Sequence, residues 1–157
     1  MIGISACLGG VACRYDGAAK TIPELRLLLE HGQAILVCPE VMGGLPIPRE
    51  PAEIINGDGR DVWLGTARVV TTTGNDVTAD FKQGAVLAYQ KLRERGITCI
   101  LMKENSPSCG KQHIYDGTFS GVTKEGIGVA AAYFEQQGLT VVPEHRWSEV
   151  LEEMGDV

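Results

Sequence analysis

Residues 97–111 read ITCILMKENSPSCGK, an apolar run followed by a polar segment that carries a cysteine. The apolar part, residues 97–102, is short and starts with β-branched side chains, which predicts a buried strand. The rest, residues 103–111, contains two serines, a proline, a cysteine and two lysines, which is poor material for a core. We therefore expect a loop at the carboxyl end of a strand, where ligands bind in α/β sheets.

Two other strand-like runs end at a cysteine in the same way. Residues 1–7 read MIGISAC, and residues 34–38 read AILVC, a continuous apolar run typical of a strand covered on both faces. The carboxyl ends of parallel strands meet at one edge of a sheet. Cys7, Cys38 and Cys109 could therefore converge on one site although they are far apart in the sequence.

Helices are expected where apolar residues recur at helical spacing: between Thr21 and Gly32, between Asp76 and Gly96, at residues 127–137 and at residues 147–154. Further short strands are expected at residues 66–73, as an edge strand or hairpin arm, and at residues 139–142. This alternation predicts an α/β fold, with a three-layer, mostly parallel sheet flanked by helices (Rossmann-like).

Local signals add detail to this fold. Thr21 and Glu24 have the spacing of a capping box at the start of the first helix. Residues 39–64 contain four prolines and are expected to form a long functional loop. Residues 115–126 read YDGTFSGVTKEG and are expected to form a glycine-rich turn region.

The length and the net charge of the chain limit its possible functions. The 157 residues fit a single domain spanning residues 1–157. A net charge of −6 indicates no extended nucleic-acid surface, although a few lysines and arginines suffice for a small anionic ligand. No apolar run approaches the ~20 residues of a membrane span, and residues 1–8 lack the pattern of a signal peptide. We expect a cytoplasmic protein and leave a homodimer open.

The five cysteines do not form a disulfide framework, because their number is odd and cytoplasmic thiols stay reduced. Three converging thiolates can hold a metal or cluster and leave one coordination position free. A structural zinc would need a fourth ligand, which Cys13 could supply, although its C-x5-C spacing from Cys7 matches no recognised zinc motif. Cys99 lies inside a predicted strand and is expected in the core.

The residue pattern alone is compatible with several functions. A thiol–disulfide enzyme would show a C-x-x-C pair, which is absent. An iron–sulfur cluster with one open iron fits the chemistry best. A non-catalytic iron–sulfur or zinc-binding protein, or a redox sensor, would use the same thiols.

Four sequence blocks also resemble a known family. ISACLGG-x2-CRYDG, VCPEVMGGLPIPREP, NSPSCG and FSG-x4-GIGVAAA are similar to the signature blocks of the bacterial and archaeal thiouracil desulfidase family. The resemblance implies a [4Fe-4S] cluster held by the cysteines matching Cys7, Cys38 and Cys109. It also implies a thiolated uracil as substrate, as the base or as a nucleotide such as 4-thiouridine monophosphate. The family pattern often has valine at the position of Cys13, which fits a residue that is not a ligand.

The resemblance also implies roles for polar residues. The open iron would polarise the carbon–sulfur bond, and Glu40, two residues after Cys38, would accept the proton of the attacking water. Ser106 or Ser108 would hydrogen-bond the pyrimidine or the water, with Ser106 preferred. Five further residues of the same loops could bind a base edge or a phosphate: Arg14, Asp16, Lys20, Arg49 and Lys103.

Overall fold

The structure is a computed structural model that describes residues 1–155. Its strands are β1 (Ile2–Ser5), β2 (Ala34–Val37), β3 (Ala52–Ile55), β4 (Arg68–Thr71), β5 (Cys99–Met102), β6 (His113–Tyr115), β7 (Thr123–Glu125) and β8 (Thr140–Pro143). Its helices are α1 (Pro23–Glu30), α2 (Pro39–Met42), α3 (Gly59–Leu64), α4 (Thr78–Glu94), α5 (Val129–Gln136) and α6 (Trp147–Gly155). Short 3-10 helices span Ala6–Gly9 and Glu144–Arg146.

A parallel sheet with the strand order β2-β1-β5-β8 forms the middle layer. Alternate strand side chains point to opposite faces of the sheet. The face toward α4 and α5 carries Ile35, Val37, Ile100, Met102 and Val141. The face toward α1 and α6 carries Ile2, Ile4, Leu36, Leu101 and Val142. The predicted three-layer α/β fold with a parallel sheet is therefore confirmed.

The prediction of one long loop at residues 39–64 is wrong, because this segment contains α2, β3 and α3. Asp58 begins α3 with a capping box, in which its side chain accepts the backbone N–H of Asp61 and Asp61 accepts that of Asp58. Strand β3 pairs antiparallel with β4, so the predicted strand at residues 66–73 is a hairpin arm. Ile54, on β3, packs into a separate small core between this hairpin and α3.

The turn region predicted at residues 115–126 is also wrong in part. Strands β6 and β7 pair antiparallel within and beside it, and residues 116–122 connect them. The predicted capping box of α1 does not form, because Pro23 starts the helix and Ile22 takes the N-cap position without a side-chain cap. The other predicted helices and strands agree with the structure to within two residues at either end.

Two glycines bring α2 unusually close to α4. A Cβ placed on Gly84 would lie 1.8 Å from the carbonyl oxygen of Pro39, and one on Gly43 would lie 2.1 Å from that of Asp80. Only glycine allows this approach of two backbones. The contact fixes α2, which begins directly after Cys38.

The amino end of α5 holds the loop that follows β5. The backbone N–H groups of Val129 and Ala130 donate to the carbonyl oxygens of Pro107 and Ser108, at 2.8 and 2.9 Å. These first N–H groups of a helix have no partner inside the helix, so the loop satisfies them. Within residues 1–155, no helix combines the length and the apolar character needed to cross a membrane.

Candidate functional site

A cavity of about 330 Å³ lies at the carboxyl end of the central sheet. It is lined by nine residues that the sequence analysis singled out: Cys7, Cys13, Arg14, Cys38, Glu40, Arg49, Lys103, Ser106 and Cys109. Three other predicted site residues, Asp16, Lys20 and Ser108, do not line it. The cavity therefore brings together the three cysteines, although they come from distant parts of the sequence.

Each of the three thiols follows a different strand of the sheet. Cys7 lies in the 3-10 helix directly after β1, and Cys38 is the N-cap residue of α2 directly after β2. Cys109 lies in the loop after β5. All three are unpaired, as are Cys13 and Cys99. Neighbouring parallel strands thus deliver three free thiols to one edge, as the sequence pattern indicates.

Hydrogen bonds fix the loop that carries Cys109. The Ser106 hydroxyl oxygen accepts the backbone N–H groups of Ser108 and Cys109, both at 3.1 Å. The Glu104 carboxylate accepts the backbone N–H groups of Lys111 and Gln112. The side chains of the loop therefore hold its backbone, and they fix the position of Cys109.

The side chain of Ser108 is fully buried beside this thiol. Its hydroxyl has no hydrogen-bond partner of acceptable geometry among the described residues, although it is near enough to the Cys109 thiol to lower that thiol's pKa slightly. Ser108 is not among the residues that line the cavity.

Three of the four thiols that line the cavity, those of Cys13, Cys38 and Cys109, have a raised pKa. Burial, followed by the negative charge of Glu40 and the neighbouring Cys38 thiol, raises the pKa of Cys109 to about 12. The Cys13 thiol and burial raise the pKa of Cys38 far above its usual range. Cys38 lowers the pKa of Cys13, but Cys7 and burial outweigh it and raise this pKa to about 11. A metal centre would supply the positive charge that favours the thiolate form of buried thiols with a raised pKa.

Glu40 and Arg49 form an ion pair in the cavity wall. Glu40 Oε1 lies 3.4 Å from Arg49 Nη2, and the two side chains are 17% and 6% exposed. Burial raises the pKa of the Glu40 carboxyl, while Arg49 and the Ser106 hydroxyl act in the opposite direction. Arg49 also donates to the carbonyl oxygens of Cys13 and Pro46, at 3.2 and 3.1 Å. These contacts hold the Glu40 carboxylate beside the thiols.

The three positively charged side chains that line the cavity differ in how closely other groups contact them. Arg49 is held by Glu40 and two carbonyl oxygens. Lys103 Nζ lies 2.8 Å from Glu144 Oε1. Arg14 Nη1 lies 4.0 Å from Asp16 Oδ2, on a side chain that is 44% exposed, and its guanidinium lies 5.8 Å from the centre of the Tyr15 ring. Arg14 is therefore the cation best placed to accept a new anionic partner.

Several residues of the cavity were not predicted from the sequence: Ser5, Tyr15, Glu53, Glu104, Tyr115 and Phe119. Glu53 lies on β3 and is 7% exposed, and its Oε1 accepts the backbone N–H groups of Gly117 and Phe119. These contacts depend on β3 and on the hairpin of β6 and β7, which the sequence did not predict. The alternation of Ala52-Glu53-Ile54-Ile55 is too short to identify a strand partner.

The donor set fits a cluster better than a single ion. Among residues 1–155, no three His, Cys, Asp or Glu side chains lie close enough together to hold one metal ion. An iron–sulfur cluster is wider than an ion, and its usual ligands are cysteine thiolates. Thiols on three separate elements around a cavity match that requirement, and the cavity leaves space for a small ligand beside them.

Comparisons with known proteins agree along nearly the whole chain. A sequence model of the 2-thiouracil desulfurase family matches residues 2–146. A Bacillus subtilis (strain 168) protein described as uncharacterized protein YbbK is 45% identical over 151 residues, covering 96% of this chain and 100% of YbbK. A solved structure described as the [4Fe-4S]-dependent thiouracil desulfidase TudS matches with a TM-score of 0.87 and 42% identity. That match covers 99% of this chain and 98% of TudS.

Proposed function

The chain belongs to the 2-thiouracil desulfurase family, and we propose that it is a [4Fe-4S]-dependent desulfidase that replaces the sulfur of a thiolated uracil by oxygen. The observation that carries this proposal is the convergence of the Cys7, Cys38 and Cys109 thiols on a cavity that also contains Glu40. One water molecule supplies the oxygen and the sulfur leaves as hydrogen sulfide, so no electrons are gained or lost.

Cys7, Cys38 and Cys109 would hold the cluster through their thiolates. When bound, the cluster supplies a Lewis acid that withdraws electron density from the carbon–sulfur bond of the substrate. Cys13 lines the same cavity, with its thiol in contact with Cys7 and Cys38. We propose that Cys13 is not a ligand, because a fourth thiolate would take the coordination position that the substrate sulfur needs.

Glu40 would act as the general base that takes a proton from the attacking water. Its carboxylate lines the cavity and is oriented by Arg49 at 3.4 Å. Ser106 lies within reach of the same carboxylate and also holds the Cys109 loop, so it couples the base to the metal centre. Ser108 takes no part in this scheme, because it does not line the cavity.

The substrate would be the base or its nucleotide. Among the predicted substrate-binding residues, Arg14 would bind the phosphate of a nucleotide such as 4-thiouridine monophosphate, because its guanidinium has only a distant ion-pair partner. Arg49 and Lys103 would shape the cavity through their existing contacts with Glu40 and Glu144. Asp16 and Lys20 lie outside the cavity lining and are left out of the proposal.

A cluster carrier or redox sensor would need no buried carboxylate beside the thiols and no cavity for a small molecule. The pairing of Glu40 with Arg49 inside such a cavity favours the enzyme. We place the reaction in the cytoplasm, because five free thiols persist in a reducing compartment.

Anaerobic assay of sulfide release tests the proposed function. Protein loaded with iron and sulfide should release sulfide from 4-thiouracil or from 4-thiouridine monophosphate and yield the oxygen-containing product. Protein stripped of iron is the matched control and should be inactive. A brown, cluster-loaded protein that releases no sulfide from thiolated bases, nucleosides or nucleotides would contradict the proposal.

A further inference from the structure

The aromatic residues divide into two groups according to what they contact. The chain has nine aromatic residues. Six of them pack into the three hydrophobic cores: Trp63, Phe81, Tyr89, Tyr133, Phe134 and Trp147. The other three, Tyr15, Tyr115 and Phe119, belong to no core, and all three line the cavity. Aromatic side chains that do not stabilise the core are thus found only at the site.

Phe119 is the member of this group whose position the fold constrains most strongly. It lies in the connection between β6 and β7 with a φ of 57°, a value that non-glycine residues seldom adopt. Gly117, two residues earlier, has a φ of 91°, and a Cβ there would lie 2.7 Å from the carbonyl oxygen of Ile54. The backbone around Phe119 is therefore strained and closely packed on β3.

A buried carboxylate fixes this strained backbone. Glu53 Oε1 accepts the N–H groups of Gly117 and Phe119, at 2.9 and 3.2 Å. Burial of a carboxylate is costly unless hydrogen bonds satisfy it, and here the hydrogen bonds go to the segment that carries Phe119. Strain that the surrounding structure holds in place is typical of functional sites. The contacts do not serve the core, because the Phe119 ring contributes to none of the three cores.

We propose that Phe119, held in place by Glu53, forms the stacking surface for the substrate's pyrimidine ring. The inference rests on the proposed function and adds a base-binding subsite to it. Phenylalanine presents two flat apolar faces, and a planar, uncharged heteroaromatic ring stacks on such a face with little dependence on its substituents. A flat six-membered ring is therefore the chemical class that this subsite accepts. A saturated ring of the same size is not flat and loses this contact.

The role of Glu53 is to position Phe119 rather than to touch the substrate's reacting atoms. Its Oε1 accepts two N–H groups and donates nothing in these contacts. Glutamine has the same length and keeps an oxygen acceptor, whereas alanine removes the acceptor altogether. Glu53→Gln should therefore keep the subsite, and Glu53→Ala should release the backbone of Phe119.

The test compares equilibrium dialysis of uracil and of 5,6-dihydrouracil, each against the cluster-loaded protein. Uracil carries no sulfur, so its binding is measured without turnover. Wild-type protein should bind uracil about tenfold more tightly than the saturated ring, within the range measured for loss of a base–aromatic stack. Phe119→Leu should remove most of this preference, and Phe119→Tyr should restore it. Glu53→Ala should behave like Phe119→Leu, and Glu53→Gln like wild type.

Kinetics give a second readout that a purely structural role would not produce. Phe119→Leu should raise KM for 4-thiouracil about tenfold while kcat changes by less than about threefold, because the stack acts on binding. Equal binding of uracil and dihydrouracil to wild type, or an unchanged preference in Phe119→Leu, would overturn the proposal. A protein that shows the preference but releases no sulfide would contradict the desulfidase function and leave the stacking surface supported.

Discussion

Gly84 of α4 lies so close to Pro39 of α2 that a Cβ at position 84 would stand 1.8 Å from the Pro39 carbonyl oxygen. Pro39 separates the Cys38 thiol from the Glu40 carboxylate, so this contact sets the position of both. The glycine itself does not line the cavity.

Gly84→Ala should therefore impair the site from a distance. The added methyl group must push α2 away from α4, and overpacking of this kind costs about 1–3 kcal/mol. We expect a lower denaturant midpoint and a lower iron content after reconstitution. Gln83→Ala, on the exposed side of the same helix, is the control and should match wild type. Wild-type stability and iron content in Gly84→Ala would show that the close approach does not position α2.

Glu40→Gln should abolish most of the activity and leave the metal centre intact. The amide keeps the size of the side chain but cannot accept a proton, and loss of a general base typically costs about 10²–10⁴-fold in rate. Iron content and sulfide release measured on the same sample separate the two effects. Glu50→Gln is a matched control, because Glu50 is exposed and does not line the cavity that contains Glu40. Unchanged kcat in Glu40→Gln would exclude Glu40 as the base.

Ser106→Ala should weaken the Cys109 loop. It removes the acceptor of the Ser108 and Cys109 N–H groups, and an unsatisfied buried donor costs about 1–3 kcal/mol. Iron should be lost faster to a chelator than in wild type. Ser106→Thr keeps the hydroxyl and should retain iron at nearly the wild-type rate. If alanine and threonine behaved alike, the hydroxyl would have no role in holding the loop.

Arg14→Ala should distinguish the nucleotide from the free base. A charge-assisted hydrogen bond is worth about 1.5–3 kcal/mol, so KM for 4-thiouridine monophosphate should rise about 10- to 100-fold. KM for 4-thiouracil should change little, because the base carries no phosphate. Lys20→Ala removes a positive charge from the same loop outside the cavity and serves as the control. An equal effect on the base and the nucleotide would contradict a phosphate-binding role.

The central sheet and the convergence of the thiols followed from local patterns. Continuous apolar runs such as residues 34–38 identify buried parallel strands, and the carboxyl ends of such strands share one edge. That rule alone predicts that Cys7, Cys38 and Cys109 converge. Their placement around one cavity depends on strand order, and the strand order β2-β1-β5-β8 puts β1 between β2 and β5.

Of the hairpin strands, β4 was predicted, but β3, β6 and β7 were not. The sequences of these three strands, AEII, HIY and TKE, lack a continuous apolar run like the one at residues 34–38. Glu53 gave no signal, because its role depends on backbone N–H groups more than sixty residues away. The start of α3 could have been predicted and was not. Asp58 and Asp61 have the spacing of a capping box, and Asp58 is the N-cap residue of α3. The capping box predicted from Thr21 and Glu24 failed because Pro23 takes the first helical position.

The iron content of five single cysteine variants tests the central claim most directly. Each variant, Cys7→Ala, Cys13→Ala, Cys38→Ala, Cys99→Ala and Cys109→Ala, is reconstituted anaerobically and analysed for iron and sulfide per chain. We predict loss of the cluster in the variants at positions 7, 38 and 109, and full content in those at 13 and 99. Full content in any of the first three variants, or loss of the cluster in Cys13→Ala, would contradict the proposed ligand set.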